Sequence, residues 1–208
     1  MLGKLRSDRA VLAGLMALGC ALLLGMWLGT ARGQAQTAPP EGAPVLEITV
    51  AGEASGVIRI ALRPDLAPGH VERVITLAES GAYDGVVFHR VIDGFMAQTG
   101  DVAFGQHDGE GLARAGMGGS DMDDLRAEFS DEPFVRGTMG MARGHSPDSA
   151  NSQFFLMFGP APHLNGQYTV LGQVTEGLDV LDAIKRGRGA NGAVLGAPDH
   201  MVQVRVIR

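Results

Sequence analysis

Phe88, His89, Arg90, Val91, Ile92, Asp93, Gly94, Phe95, Met96, Ala97 and Gln98 run together, and Ser152, Gln153, Phe154 and Phe155 follow further along. One arginine and two glutamines stand among large apolar side chains. No nucleophile, acid-base pair or metal cluster stands beside them. A site of this kind encloses an apolar group and directs a few hydrogen bonds at it, so the residues point to chemistry without bond cleavage. An unpaired buried amide is costly, so glutamines flanked by apolar residues need partners, either the neighbouring backbone or a bound carbonyl.

Several spaced stretches in one order carry a resemblance: Tyr83 to Gln98, Gly137 to Ala142, Ser149 to Phe155, Leu164 to Gly172 and the terminal Met201 to Val206. Over residues 45 to 208 the chain resembles a cyclophilin, a peptidyl-prolyl cis-trans isomerase, and specifically the bacterial exported type. That resemblance implies a mainly β fold, a closed eight-stranded antiparallel barrel capped by two α-helices, with the site on its outer face. It implies acceleration of rotation about X-Pro bonds in exported proteins, assisting their folding, with no cofactor and no metal. The competing function is a non-catalytic proline-peptide-binding chaperone or interaction domain.

Carried over residue by residue, the resemblance makes Arg90, Phe95 and Gln98 catalytic. Arg90 follows Phe and His directly, as the family's catalytic arginine does. Phe95, Met96, Phe155 and Leu164 match the pocket for the proline ring, Gln98 and Gln153 the contacts to the peptide backbone, and Ala142 and Arg143 the strand a bound peptide runs beside. His163 and Tyr168 belong to the same binding set but depart from the human-type pattern, which has Trp and His there. Strong inhibition by cyclosporin is therefore not expected. Phe88 and Phe154 alternate with the site residues and belong to the core.

The first 35 residues differ in kind from the rest. Lys4, Arg6 and Arg9 precede an uncharged run from Ala10 to Ala31, followed by Arg32, small polar residues, Pro39 and Pro40. This is the pattern of a signal peptide, with Ala35 suited to the cleavage point. The run is also long enough to span a bilayer, which takes about 20 apolar residues, so residues 10 to 31 could instead anchor the protein in the inner membrane. In both readings the remainder is exported, periplasmic in a bacterium. Cys20, the single cysteine, lies inside this run. Ala17 and the apolar residues after Cys20 do not fit a lipoprotein signal.

The organisation expected is thus a leader or anchor over residues 1 to 35, a linker over 36 to 44 and an isomerase domain over 45 to 208. The whole chain has 17 basic and 23 acidic residues; without residues 1 to 35 the balance is 13 against 22, or −9. Such a domain repels phosphate backbones, so nucleic acid is not an expected partner. Proline-containing polypeptides, unfolded or flexible, are, and the domain is expected to be a monomer.

The elements that must position these residues follow from periodicity. Residues 45 to 50 and 56 to 62 alternate as a hairpin around a turn at 52 to 55, and Val71, Val74, Ile75, Leu77 and Ala78 recur at helical spacing until Gly81. Residues 86 to 91 and 95 to 98 suggest two strands broken at Asp93 and Gly94, and residues 100 to 125 a glycine-rich surface excursion. Further strands are expected at 137 to 142, 154 to 158, 168 to 174 and 201 to 207, with a short helix around Val180, Leu181 and Ile184. Gly187, Gly189 and Gly192 match a dinucleotide fingerprint in spacing only, since they follow a helix instead of a strand. Asp121, Asp123 and Asp124 lack the glycine and closing glutamate of a calcium loop.

Overall fold

Alternation in the first strand, Val45–Ala51 (β1), buries Leu46, Ile48 and Val50, and Ile58, Ile60 and Leu62 do the same in Gly56–Leu62 (β2). The pair is an antiparallel hairpin with Leu46 opposite Ile60 and Ile48 opposite Ile58. On the other face Glu47 accepts from Arg59 at 2.8 Å and from Arg205, and these bonds hold its pKa below the usual carboxylate value. The computed structural model describes residues 35–208, so the expected leader or anchor, with Cys20, lies outside the described residues. Gln36–Arg208 form one compact unit. Among the described residues no helix is long and apolar enough to cross a membrane.

Helix α1, Pro68–Glu79, starts on a proline whose missing N–H costs nothing there. No local side chain caps it. Glu128, about sixty residues on, instead accepts the Gly69 and His70 N–H groups at 3.1 and 3.0 Å, satisfying donors that a helix start leaves open. The helix ends at Ser80, before Gly81 at φ 72°. Its buried face, with Val71, Val74 and Leu77, joins the main core.

The remaining strands are β3 (Arg90–Ile92), β4 (Met96–Thr99), β5 (Thr138–Arg143), β6 (Ala150–Met157), β7 (Val170–Glu176) and β8 (His200–Ile207), with helix α2 (Leu178–Ala183) between the last two. They form one sheet in the order β3-β4-β6-β5-β7-β2-β1-β8, antiparallel throughout. Among the described residues the eight strands and two α-helices are as expected, but the barrel is not closed: the sheet is an open half-barrel ending on β3 and β8.

The reason lies in residues 86 to 89, which make no continuous strand. Their hydrogen bonds divide between two partners: Val87 N–H donates to Gly105 O at 2.8 Å, while Phe88 N–H donates to Asp199 O at 2.8 Å and Met201 N–H to Val86 O at 2.9 Å. A ladder shared with the glycine-rich excursion cannot propagate along β8, and only isolated bridges result, Val86 to Gln106 and Val87 to His200.

The free edge of β3 is covered by a loop. Gly187 N–H donates to Val91 O at 2.9 Å and Val194 N–H to His89 O at 3.1 Å, which occupies backbone groups that would otherwise invite another strand. The excursion itself is gathered around Asp101, fully buried, whose carboxylate accepts four backbone N–H groups, those of Ala103, Phe104, Gly116 and Gly118, at 2.7 to 3.1 Å. Asp199, also buried, ties Ala54 and Lys185 in the same way at 3.1 and 2.7 Å.

The sheet separates two apolar layers. Val91, Ala97, Phe154 and Leu156 face the main core with Phe88, Met139 and Met141. Residues of the opposite parity, Met96, Phe155 and Met157, form a second cluster with Phe134, Ala161, Leu164 and Val170. Strand alternation thus sends Phe88 and Phe154 inward and Phe155 outward.

Candidate active site

The outer cluster floors a groove of 470 Å³ lined by Arg90, Phe95, Met96, Gln98, Ala142, Arg143, Phe155, His163, Leu164, Gln167 and Tyr168. Ten of the eleven residues proposed from sequence meet there. Gln153, the eleventh, lines an adjoining hollow of 390 Å³ that shares Gln98, Ala142 and Arg143 with the groove.

Register produces this convergence. Arg90 sits opposite Gln98 across β3 and β4, and Gln98 opposite Phe155 across β4 and β6. Phe155 in turn faces Gly140 of β5. Directly opposed side chains on one face lie close enough to touch, so three polar or aromatic groups from distant sequence become a row.

The polar half of the row is a chain of hydrogen bonds. Arg90 donates from Nη1 to Gln98 Oε1 at 3.1 Å, Gln98 Nε2 to Gln153 Oε1 at 2.9 Å and Gln153 Nε2 to Gly118 O at 2.8 Å. The glutamines are therefore partnered with protein groups, and each amide keeps one N–H for another acceptor. Arg90 also donates from Nε to Asn191 O at 2.9 Å and from Nη2 to Asn191 Oδ1 at 3.1 Å. All three acceptors are uncharged, and among the described residues no carboxylate pairs with Arg90. Partial burial draws its pKa below the usual arginine value, yet an arginine remains charged in a protein.

The apolar half is a stack. Phe155 lies 5.8 Å from Phe134, nearly parallel, and 5.9 Å from Tyr168, edge-on, while Phe95 stands 5.6 Å from His163. Gly140 makes room for this arrangement, since a Cβ there would lie 2.4 Å from Phe155 Cζ and 2.6 Å from Phe134 Cε1. Arg143, on the strand a bound peptide is expected to run beside, places its guanidinium 4.4 Å over the Tyr168 ring and donates to Gln167 O at 3.2 Å. It lines both the groove and the hollow.

His89, next to Arg90, is buried, its ring packed against Gly116. Burial pushes its pKa down to about 4, so it is neutral at pH 7 and contributes no charge to the groove. Among the described residues no group of three or more His, Cys, Asp or Glu side chains could hold a metal ion.

Phe134, Gly140 and Asn191 shape the site without having been singled out from sequence. Asn191 with Gly192 was legible as a turn pair. Nothing local marked Phe134 or Gly140, whose importance arises only from what lies opposite them.

Known proteins share this architecture. Residues 45–206 match the family model described as cyclophilin type peptidyl-prolyl cis-trans isomerase/CLD. A probable peptidyl-prolyl cis-trans isomerase of Brucella suis is 50% identical over 191 residues, which is 91% of this chain and 94% of that protein. The human peptidyl-prolyl cis-trans isomerase-like 3 is 37% identical over 131 residues, 63% of this chain and 77% of that one. Among solved structures, a cyclophilin of Hirschia baltica superposes with a TM-score of 0.63 at 25% identity, covering 77% of this chain and 72% of its own. A Cryptosporidium parvum cyclophilin, crystallised in the presence of the dipeptide Ala-Pro, shares the fold with a TM-score of 0.65 at 22% identity over 79% of this chain and 99% of its own. The half-barrel, the groove on its outer face and a family match spanning nearly all of Gln36–Arg208 lead to one conclusion: this chain belongs to the cyclophilin-type peptidyl-prolyl cis-trans isomerase family.

Proposed function

We propose that this isomerase acts, as a monomer, on proline-containing segments of unfolded or flexible exported proteins, with Arg90 as the donor to the prolyl nitrogen. The barrier to X-Pro rotation, about 18–20 kcal/mol, comes from amide resonance. Rotation requires the nitrogen to surrender its overlap with the carbonyl. In the twisted state its lone pair localises and accepts a hydrogen bond that neither planar isomer accepts. A donor aimed there binds the transition state more tightly than either ground state, which accelerates the reaction.

The observation that carries this reading is the setting of Arg90. Its guanidinium is fixed at the groove edge by three neutral oxygens, and among the described residues no carboxylate drains its field. Preorganised positive charge in a partly dry site is worth far more than in water. Phe95, Met96, Phe155 and Leu164 would take the proline ring, whose three methylenes contribute roughly 2 kcal/mol of binding at about 0.8 kcal/mol each. The remaining N–H groups of Gln98 and Gln153 lie where substrate carbonyls would pass, and the edge of β5 at Ala142 and Arg143 would run beside the peptide. Lys4, Arg6 and Arg9 ahead of the uncharged run 10 to 31 support export, by a cleaved signal or an uncleaved inner-membrane anchor.

The test is cis-to-trans conversion of the peptide Ala-Ala-Pro-Phe by the full chain and by Arg90→Ala. One lost donor costs about 2.7–4 kcal/mol, so Arg90→Ala is expected to slow kcat/KM by two to three orders of magnitude. Unchanged turnover would refute the role of Arg90. Peptide binding without any acceleration by the wild-type chain would identify a binding module instead.

A further inference from the structure

We infer that Asn191 is a positioning residue for Arg90, and that the three-glycine loop from Gly187 to Gly192 exists to hold it there; this rests on the reading of Arg90 as the donor to the prolyl nitrogen. Asn191 is the one non-glycine residue with positive φ among the described residues, at φ 54° and ψ 29°. Asparagine tolerates the left-handed region better than most side chains. In that conformation its backbone oxygen and its side-chain oxygen face the same way and accept Arg90 Nε and Nη2 together, at 2.9 and 3.1 Å.

The glycines make the turn tight enough to reach. A Cβ at Gly187 would lie 1.9 Å from Gly192 O, and one at Gly192 would lie 2.4 Å from Ile92 Cγ1. Gly192 has φ 80°, and Gly189 N–H closes the turn onto Ala193 O at 2.9 Å. The loop is pinned to the β3 edge on both sides of Asn191, through Gly187 to Val91 and Val194 to His89. A nucleotide-like glycine pattern thus serves a side chain instead of a phosphate.

Beside this contact lies a hollow of 230 Å³ lined by His89, Arg90, Gln98, Ala115, Asn191 and Ala193 among others. Without the Asn191 amide, the outer guanidinium nitrogen has room to swing into that hollow and away from the groove. Neutrality of the acceptor matters as much as its place, because a carboxylate at 191 would hold the fork while cancelling its charge.

Two variants separate anchoring from charge, read by two measurements on the full chain. Asn191→Gly keeps the turn and the Nε bond but loses the Oδ1 acceptor. Asn191→Asp keeps the acceptor but adds a negative charge. The measurements are the rate of rotation about the Arg90 Nε–Cζ bond, from nitrogen NMR exchange, and kcat and KM for Ala-Ala-Pro-Phe, from exchange spectroscopy. Asn191→Gly is expected to speed rotation and to lower kcat by about tenfold to a hundredfold, the effect of losing one hydrogen bond to a charged group, with KM little changed. Asn191→Asp is expected to leave rotation slow and still lower kcat at pH 7.5. Wild-type rotation in Asn191→Gly, or wild-type kcat in either variant, would overturn the inference. Wild-type turnover in Arg90→Ala would instead overturn the reading of Arg90, so the two failures fall on different measurements.

Discussion

Gly140→Ala tests whether the proline pocket is set by one absent methyl group. The added Cβ would meet Phe155 Cζ at 2.4 Å, Phe134 Cε1 at 2.6 Å and Phe155 Cε2 at 2.7 Å. Comfortable carbon contacts lie at about 3.5–4.0 Å, so the Phe155 ring must retreat by roughly 1 Å. It cannot move toward Phe134, which is fully enclosed and presses on the same Cβ. The open direction is the groove, where the ring would occupy the space assigned to proline. Overpacking of this kind costs about 1–3 kcal/mol, and a domain of this size loses about 2–4 °C of thermal midpoint per kcal/mol. The expected thermal shift is therefore between about 2 and 12 °C. Because a 1 Å misplacement of a positioning group can cost about a hundredfold, kcat/KM should fall by at least tenfold, chiefly through KM, since Arg90 is untouched. Thermal unfolding and exchange spectroscopy on Ala-Ala-Pro-Phe measure the two effects. Trimming the ring in the double variant Gly140→Ala, Phe155→Leu should recover part of the lost stability through a favourable coupling between the two sites. A single variant with wild-type midpoint and wild-type KM would refute the claim that Gly140 sets the position of Phe155.

Stability should fall on acidification through His89, whose pKa is 6.5 ordinarily and about 4 here. Between those values the unfolded chain binds the proton that the folded chain refuses, so the contribution is complete above pH 6.5 and is lost as pH falls toward 4, about 3 kcal/mol in all. Denaturant titrations at pH 7 and pH 4.5 should show this loss, and His89→Gln should flatten that part of the slope; an unchanged slope would refute the assignment. A chain starting at Val45 removes Gln36 and Thr37, whose bonds reach Pro133 O at 3.0 Å, Glu132 Oε2 at 3.1 Å and, from Arg63 Nη1, Thr37 O at 3.0 Å. Buried Arg63 and Glu132 would each lose a partner, so a chain starting at Val45 should be about 2 kcal/mol less stable than one starting at Gln36, measured by denaturant unfolding. Arg90 and Arg143 face the groove with no carboxylate partner among the described residues, so a peptide with Glu before proline should show a higher kcat/KM than one with Lys, the ratio shrinking as salt screens the field. Equal values at low salt would count against an electrostatic preference.

The groove was legible because its residues lie on short strands where alternation sorts one face from the other. Arg90 and Gln98, eight residues apart, meet across a tight bend, and the inward placement of Phe88 and Phe154 follows from the same period. Other features depended on partners far along the chain. Glu128 caps α1 from a loop, Asp101 gathers a turn whose donors extend to Gly118, and Asn191 reaches Arg90 across a hundred residues. No local pattern announces any of these partners, since a single polar residue in a loop looks the same whether it caps, gathers or faces water, and the Asn191–Gly192 pair signals a turn but not what the turn reaches. The glutamines show a subtler limit. Their need for partners was foreseeable, but the choice of Arg90, each other and Gly118 O was made by register.

From the sequence alone came a set of residues that could enclose an apolar group and aim a few hydrogen bonds at it, their matching to a proline pocket and a catalytic arginine through resemblance to the family, and a mainly β domain with two helices. The chemistry and the elements are local, set by side-chain types and by periods of 2 and 3.6 residues. Tertiary structure alone decided that the sheet stays open and that the Phe155 ring lies over Gly140 of β5. The first outcome turned on competition for the hydrogen bonds of residues 86 to 89, divided between Gly105 and the start of β8. The second turned on steric exclusion at Gly140. Both are decided by which distant group arrives within a few ångströms, and that is fixed only when the whole chain has packed.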